Sequence, residues 1–176
     1  LLIVSDHGMA KVDPNYYIDT NELPYPLGFK RVNGGSRVMY YRRNLDADLE
    51  ALRIALDRQA NGRFWVLDKQ TLAERGYVDH PAVADLIIET EPPRMFRQRD
   101  RQRTDLLGMH GYPGEIEEMA GIMVAVGPAF QSSVVIDEAH QLDVYPMAVR
   151  ILGLTSPIGV RTNDGPLSAA RFLSED

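Results

Sequence analysis

The chain contains no cysteine. Disulfides and thiolate ligands are therefore excluded, and any metal must be held by Asp, Glu or His. Basic charge is also short: 19 Lys and Arg face 25 Asp and Glu, for a formal net charge of −6. A general nucleic-acid binder carries a basic face, so a nucleic-acid polymer is not an expected partner. A phosphate-bearing small molecule stays open, because bound divalent cations reverse a local negative potential. No apolar stretch approaches the ~20 residues of a transmembrane helix. No initiator methionine or signal peptide precedes Leu1, and the chain opens inside an apolar run. On that reading it is the back part of something longer, with any targeting segment in the missing front.

What is present fits a soluble fold. The 176 residues, 44% hydrophobic and 25% charged, suit one domain or a domain piece with an insertion. The opening run Leu1-Leu2-Ile3-Val4 stops on Ser5-Asp6-His7-Gly8-Met9. Such a run predicts a buried strand in a parallel sheet. Strand ends of open α/β sheets are where ligands and metals are placed. Asp6 supplies a carboxylate oxygen and His7 an imidazole nitrogen, a mixed set suited to a borderline cation such as zinc. Gly8 lets the backbone turn sharply or pass close to a bound ion. Spacing alone leaves a second reading equally open, in which the pair caps the strand end and backbone satisfies the imidazole.

Further along, residues 11–28 read as a loop rich in Pro, Asn, Asp and Tyr. Residues 30–43 predict a hairpin turning at Asn33-Gly34-Gly35. Leu49, Leu52, Ile54, Ala55 and Leu56 predict a helix over 46–59, capped by Asp46 or Asn44 and followed by Gly62. Strands are predicted at 64–68 and 84–89, with a short helix at 70–75 between them. Pro92-Pro93 closes this string, and a charged, solvated stretch covers 97–105. The run Gly121 to Gly127 predicts a second buried strand. Val144, Met147, Ala148, Ile151 and Leu152 share one face of a helix over 142–152, with Gly153 as its cap. Asp164-Gly165-Pro166 reads as a turn.

Of the four histidines, His80 precedes Pro81 in a polar turn and reads as exposed. His140 lies just before a helix and reads as surface or cap. His110 sits in Gly108-Met109-His110-Gly111-Tyr112, where flanking glycines leave the imidazole accessible; spacing alone allows either a loop residue or a ligand.

The ordered series Ser5-Asp6-His7-Gly8-Met9, then Gly108-Met109-His110-Gly111-Tyr112, resembles the type I phosphodiesterase/nucleotide pyrophosphatase family, within the alkaline phosphatase superfamily. Met119, Ile122-Met123-Val124-Ala125, Gly127-Pro128-Ala129-Phe130, Leu142-Asp143-Val144-Tyr145-Pro146, Leu152-Gly153-Leu154 and Asp164-Gly165 continue the match. The resemblance implies an α/β fold: part of an alkaline-phosphatase-like core sheet with helices, plus a small inserted α+β subdomain. Residues 1–28 would be a core strand and metal-site loop, 29–105 the insertion, and 106–176 the return to the core. It implies two divalent metal ions, usually zinc, one held by Asp6 and His7 and the other partly by His110. Substrates would be small-molecule phosphate esters or nucleotides.

The family's Thr or Ser nucleophile lies upstream of the Asp-His motif, so no catalytic residue is assigned in this chain. Thr20, Thr71, Thr90 and Thr104 follow the motif and are not promoted. Pro113-Gly114 departs from the Asp-Asn type pair common in the family, and substrate-binding residues stay unassigned. Tyr16, Tyr17 and Tyr112 are candidates either for stacking on a base or for simple packing. The isolated chain is expected to be inactive, and exposed sheet edges to favour oligomers. Family resemblance alone favours a periplasmic or extracellular location. Phosphonate, phosphomonoester or sulfate-ester hydrolysis, and a non-catalytic binding module, remain alternatives.

Overall fold

A computed structural model describes residues 1–77, 80, 82–98, 106–155 and 172–174. The strands are β1 (Leu2–Val4), β2 (Ala10–Lys11), β3 (Ile18–Asp19), β4 (Phe29–Asn33), β5 (Arg37–Arg42), β6 (Trp65–Leu67), β7 (Leu86–Glu89), β8 (Phe96–Arg97), β9 (Gly108–Met109) and β10 (Met123–Ala125). The α-helices are α1 (Leu49–Ala60), α2 (Lys69–Glu74) and α3 (Val144–Ile151). They fall into two compact units, one comprising Leu1–Asp6 with Gly121–Asp176, the other His7–Ala120.

The larger unit is built on an antiparallel sheet of order β4-β5-β7-β6. Alternation along β5 sends Val38 and Tyr40 into the core, where they meet Leu86 and Ile88 of β7. Leu52 and Leu56, four apart on α1, bury on the same cluster with Phe64 and Phe96. Each such large apolar side chain contributes on the order of 1.5–3 kcal/mol when fully buried. The helix begins later than 46, because Asp48 is the residue whose side chain accepts from the Ala51 N–H, at 2.9 Å. Asn44 instead holds the preceding turn, accepting from the Asp46 N–H. Asn61 and Gly62, both at positive φ, end the helix. Asp68 caps α2 in the same way, through the Thr71 N–H at 2.7 Å.

The smaller unit corrects the reading of the opening run. β1 pairs antiparallel with β10, Leu2 opposite Ala125 and Val4 opposite Met123. Leu2 and Met123 turn toward Met147 of α3, Phe172 and Leu173. Ile3, Val124 and Ile122 remain 48%, 48% and 67% exposed. An apolar run marks a strand, but it fixes neither the direction of the partner nor how many faces are covered. Likewise, of the predicted face of α3, Met147 is fully buried while Leu152 is 68% exposed. Gly153 follows the helix at φ +62°, as expected. The turn at Asp164-Gly165-Pro166 and most of the charged stretch lie outside the described residues.

Candidate functional site

Within the larger unit, β2 and β9 form a short antiparallel ribbon with Ala10 opposite Met109 and Lys11 opposite Gly108. The Val12 N–H extends it to the Leu107 carbonyl at 3.0 Å. In an antiparallel pair, the residues before one strand and after the other lie at the same end. That end carries His7 and His110. Their rings stack with centroids 3.9 Å apart and planes 6° from parallel.

The His7 ring is oriented by its own loop. Nδ1 lies 2.7 Å from the Gly8 carbonyl oxygen. A carbonyl only accepts, so Nδ1 carries the hydrogen and the lone pair of the neutral ring sits on Nε2. A carbonyl-bound Nδ1–H is the arrangement that orients a metal-binding imidazole. Gly8 in turn donates its N–H to the Met119 carbonyl at 2.9 Å. A Cβ on Gly8 would sit 2.1 Å from the Glu118 carbonyl oxygen and 2.6 Å from that of Ala120. The glycine is required by backbone packing against residues 118–120.

The His110 loop is anchored on both sides. The Ser36 hydroxyl donates to the Gly111 carbonyl at 2.8 Å, and Gly111 adopts φ +81°. Tyr112 is buried and donates to the Arg94 carbonyl at 2.6 Å. Burial, with a smaller contribution from Tyr17, pushes its phenol up to about 12. Tyr17 is buried as well, bonded to the Leu106 carbonyl. Both rings belong to a cluster with Ala10, Val12, Met95 and Met119, which makes them packing residues; only Tyr16 of the three is exposed.

Asp6 belongs to the smaller unit, and the division of the chain falls on the Asp6–His7 peptide. It is exposed, directly after a segment held by Ser5, whose N–H donates to the Ile122 carbonyl at 3.0 Å and whose Oγ accepts from the Ile122 N–H at 2.8 Å. The Asp6 carbonyl accepts from Gln141 Nε2 at 2.5 Å. In donor chemistry, two imidazoles and a neighbouring carboxylate fit a zinc-type cation. Among the described residues, no group of three or more His, Asp or Glu side chains gathers into a coordination set.

The other candidates have structural roles. His140 caps the turn before α3: Nδ1 accepts from the Leu142 N–H at 3.1 Å, while Asp143 accepts from the His140 N–H at 2.8 Å. His80 is exposed and accepts from the Ala82 N–H. Thr20 and Thr90 are buried, the latter donating to the Arg63 carbonyl, and Thr71 lies in α2. Thr104 is outside the described residues. What sequence reasoning missed is the support from Ser36 and Tyr112. No local pattern announces a hydrogen bond between residues 75 apart.

Comparison with known proteins agrees with the sequence pattern. A family model described as type I phosphodiesterase/nucleotide pyrophosphatase matches residues 1–113. The bis(5'-adenosyl)-triphosphatase enpp4 of Xenopus laevis is 26% identical over 174 residues, covering 98% of this chain and 36% of the relative. Human ectonucleotide pyrophosphatase/phosphodiesterase family member 7 is 26% identical over 175 residues, covering 96% and 36%. The solved structure of murine ectonucleotide pyrophosphatase/phosphodiesterase 5 superposes with a TM-score of 0.82 at 22% identity, over 98% of this chain and 45% of that one. An inactive variant of the murine protein in complex with AMP gives 0.81. The expected α/β class is therefore the observed one. The chain spans little more than a third of the length of these curated relatives.

Proposed function

Since this chain belongs to the type I phosphodiesterase/nucleotide pyrophosphatase family, we propose that it forms part of a metal-dependent hydrolase of phosphodiester or pyrophosphate bonds, with Asp6, His7 and His110 as metal ligands. The observation that carries the reading is the stacked pair of imidazoles, His7 and His110, at 3.9 Å. The β2–β9 ribbon thus brings two imidazoles from distant parts of the chain to one place, as a shared metal centre requires of its donors. Asp6 and His7 serve one ion and His110 the other. Bound there, two cations would activate a nucleophile and neutralise charge on phosphate oxygens.

The chain's own contribution is to hold and aim the donors. The Gly8 carbonyl keeps the His7 proton on Nδ1 and so presents Nε2. The β2–β9 ribbon keeps His110 beside it. A cationic centre would also offset the net charge of −6 that these residues carry, which on its own disfavours a phosphate ester. Small phosphate esters and nucleotides are the substrate class, in keeping with the adenosyl-triphosphatase name of the Xenopus relative and the AMP held by the murine protein. The nucleophile is a Thr or Ser outside these residues, so the purified chain alone is inactive.

The test uses the full-length protein, its zinc content and its hydrolysis of a p-nitrophenyl phosphodiester. His7→Ala and His110→Ala should each lower zinc content and cut turnover by at least about 100-fold, more than loss of a supporting residue costs. Unchanged zinc and turnover in both variants refute the ligand assignment. Turnover by the isolated chain refutes the placement of the nucleophile.

A further inference from the structure

The β4–β5 turn reaches both neighbours of His110. Gly35, at φ +83°, has the Met109 side chain against it: a Cβ there would lie 2.4 Å from Met109 Cε and 2.8 Å from Sδ. Ser36, only 3% exposed, donates its hydroxyl to the Gly111 carbonyl at 2.8 Å. The turn thus packs on the residue before His110 and bonds the residue after it.

The turn itself is tightly fixed. The Gly34 N–H donates to the Arg37 carbonyl at 2.8 Å, and the Gly35 N–H to the Asn33 side chain at 2.9 Å. The Phe96 N–H donates to the Gly35 carbonyl at 2.7 Å, and the Thr90 N–H to the Ser36 carbonyl at 3.0 Å. β5 then runs on into the buried sheet. We infer that Ser36 is a positioning residue for the His110 metal site, transmitting the rigidity of the four-stranded sheet to an otherwise glycine-flanked loop. This inference rests on the metal-ligand reading of His110 given above.

The physical argument is one of conformational freedom. His110 lies between Met109, whose strand β9 is two residues long, and Gly111, a residue with unusually free dihedrals. A ligand on such a segment pays ordering entropy when it binds a metal unless something else fixes the loop first. Ser36 supplies that fixation through a hydroxyl that can donate only one hydrogen, and that hydrogen goes to Gly111. Supporting contacts of this rank change metal affinity even though they never touch the ion.

The experiment measures zinc affinity of the full-length protein by chelator competition, with thermal melting in parallel. Ser36→Ala should weaken zinc binding about tenfold, and Ser36→Thr, which keeps the donor, should recover most of it. Tyr40→Phe is the control, because it removes a buried hydroxyl's bond to the Pro24 carbonyl in the same unit, away from the turn that holds Ser36. It should lower the melting temperature while leaving zinc affinity within about twofold of the unmodified protein. The inference alone is overturned if Ser36→Ala keeps full affinity while His110→Ala loses it, or if Tyr40→Phe weakens zinc as much as Ser36→Ala. Should His110→Ala itself bind zinc normally, the ligand reading falls and takes this inference with it.

Discussion

Adding one methyl group at Gly8 probes whether the His7 loop is held by backbone packing. In Gly8→Ala the new Cβ would start 2.1 Å from the Glu118 carbonyl oxygen and 2.6 Å from that of Ala120. An ordinary contact is about 3.4 Å or more, so the loop must retreat by roughly 1.3 Å. Neither obstacle is the end of a flexible side chain. A shift of that size also breaks the 2.9 Å bond from the Gly8 N–H to the Met119 carbonyl. Overpacking costs about 1–3 kcal/mol and the lost bond about 1, giving roughly 2–4 kcal/mol in total. For a chain of this size that lowers the melting temperature by about 4–16 °C. Because His7 precedes Gly8 and bonds its carbonyl, zinc affinity should fall by about 10- to 100-fold as well. Gly114→Ala is the matched control: nothing lies within 4 Å of its added Cβ, and its stability change should stay within about 0.5 kcal/mol. Thermal melts and zinc competition on the three proteins decide the matter. A Gly8→Ala protein that melts and binds zinc like its parent would falsify the account of this loop.

The elements legible in the sequence were those with local causes. The hairpin at 33–37 announces itself through Asn33-Gly34-Gly35, and the observed strands, Phe29–Asn33 and Arg37–Arg42, flank that turn. The helix predicted over 46–59 follows from apolar spacing and from Gly62 after it; the observed helix is Leu49–Ala60, and its cap is Asp48 because capping depends on which carboxylate reaches the third N–H onward. His140 reads as surface or cap from its place before a helix, and the structure makes it a cap. The sheet order β4-β5-β7-β6 was not legible, since it depends on which strands meet after the intervening helices fold back. The burial of β1 and β10 was misjudged for a related reason. Hydrophobicity records what a strand can bury, whereas exposure depends on which neighbours are there.

The site was legible only in part, and the part that was missed is instructive. Spacing alone could not choose between ligand and cap for His7, or between ligand and loop for His110. The ribbon that brings them together has two residues on each strand, too few for any alternation to be read. Ordered motifs supplied what periodicity could not. Even so, motifs speak only for the residues they contain. Ser36 sits in a turn recognised for its glycines, yet its hydroxyl works on a loop 75 residues away. Gly8 drew attention as a residue that could approach an ion; its close neighbours are the carbonyls of Glu118 and Ala120.

Two further outcomes test the polar interior of the larger unit. Burial raises the Tyr112 pKa from an ordinary 10 to about 12, so the stability it contributes is complete below pH 10 and lost as pH climbs through 12, roughly 3 kcal/mol at the limit. Tyr112→Phe should therefore be less stable than its parent at pH 9, and denaturant titrations should show that gap shrinking by pH 11.5; an equal gap at both values refutes the burial argument. Glu89 is 2% exposed, with Oε2 2.5 Å from Arg37 Nε and Oε1 2.6 Å from Arg75 Nη1, while the two arginine side chains are 25% and 27% exposed. Glu89→Ala leaves two guanidiniums facing each other, but both can reach water, so its cost should sit near the lower end of the ~3–5 kcal/mol for breaking a buried pair; a melting temperature within about 2 °C of the parent would mean that the carboxylate balances its own desolvation and adds nothing.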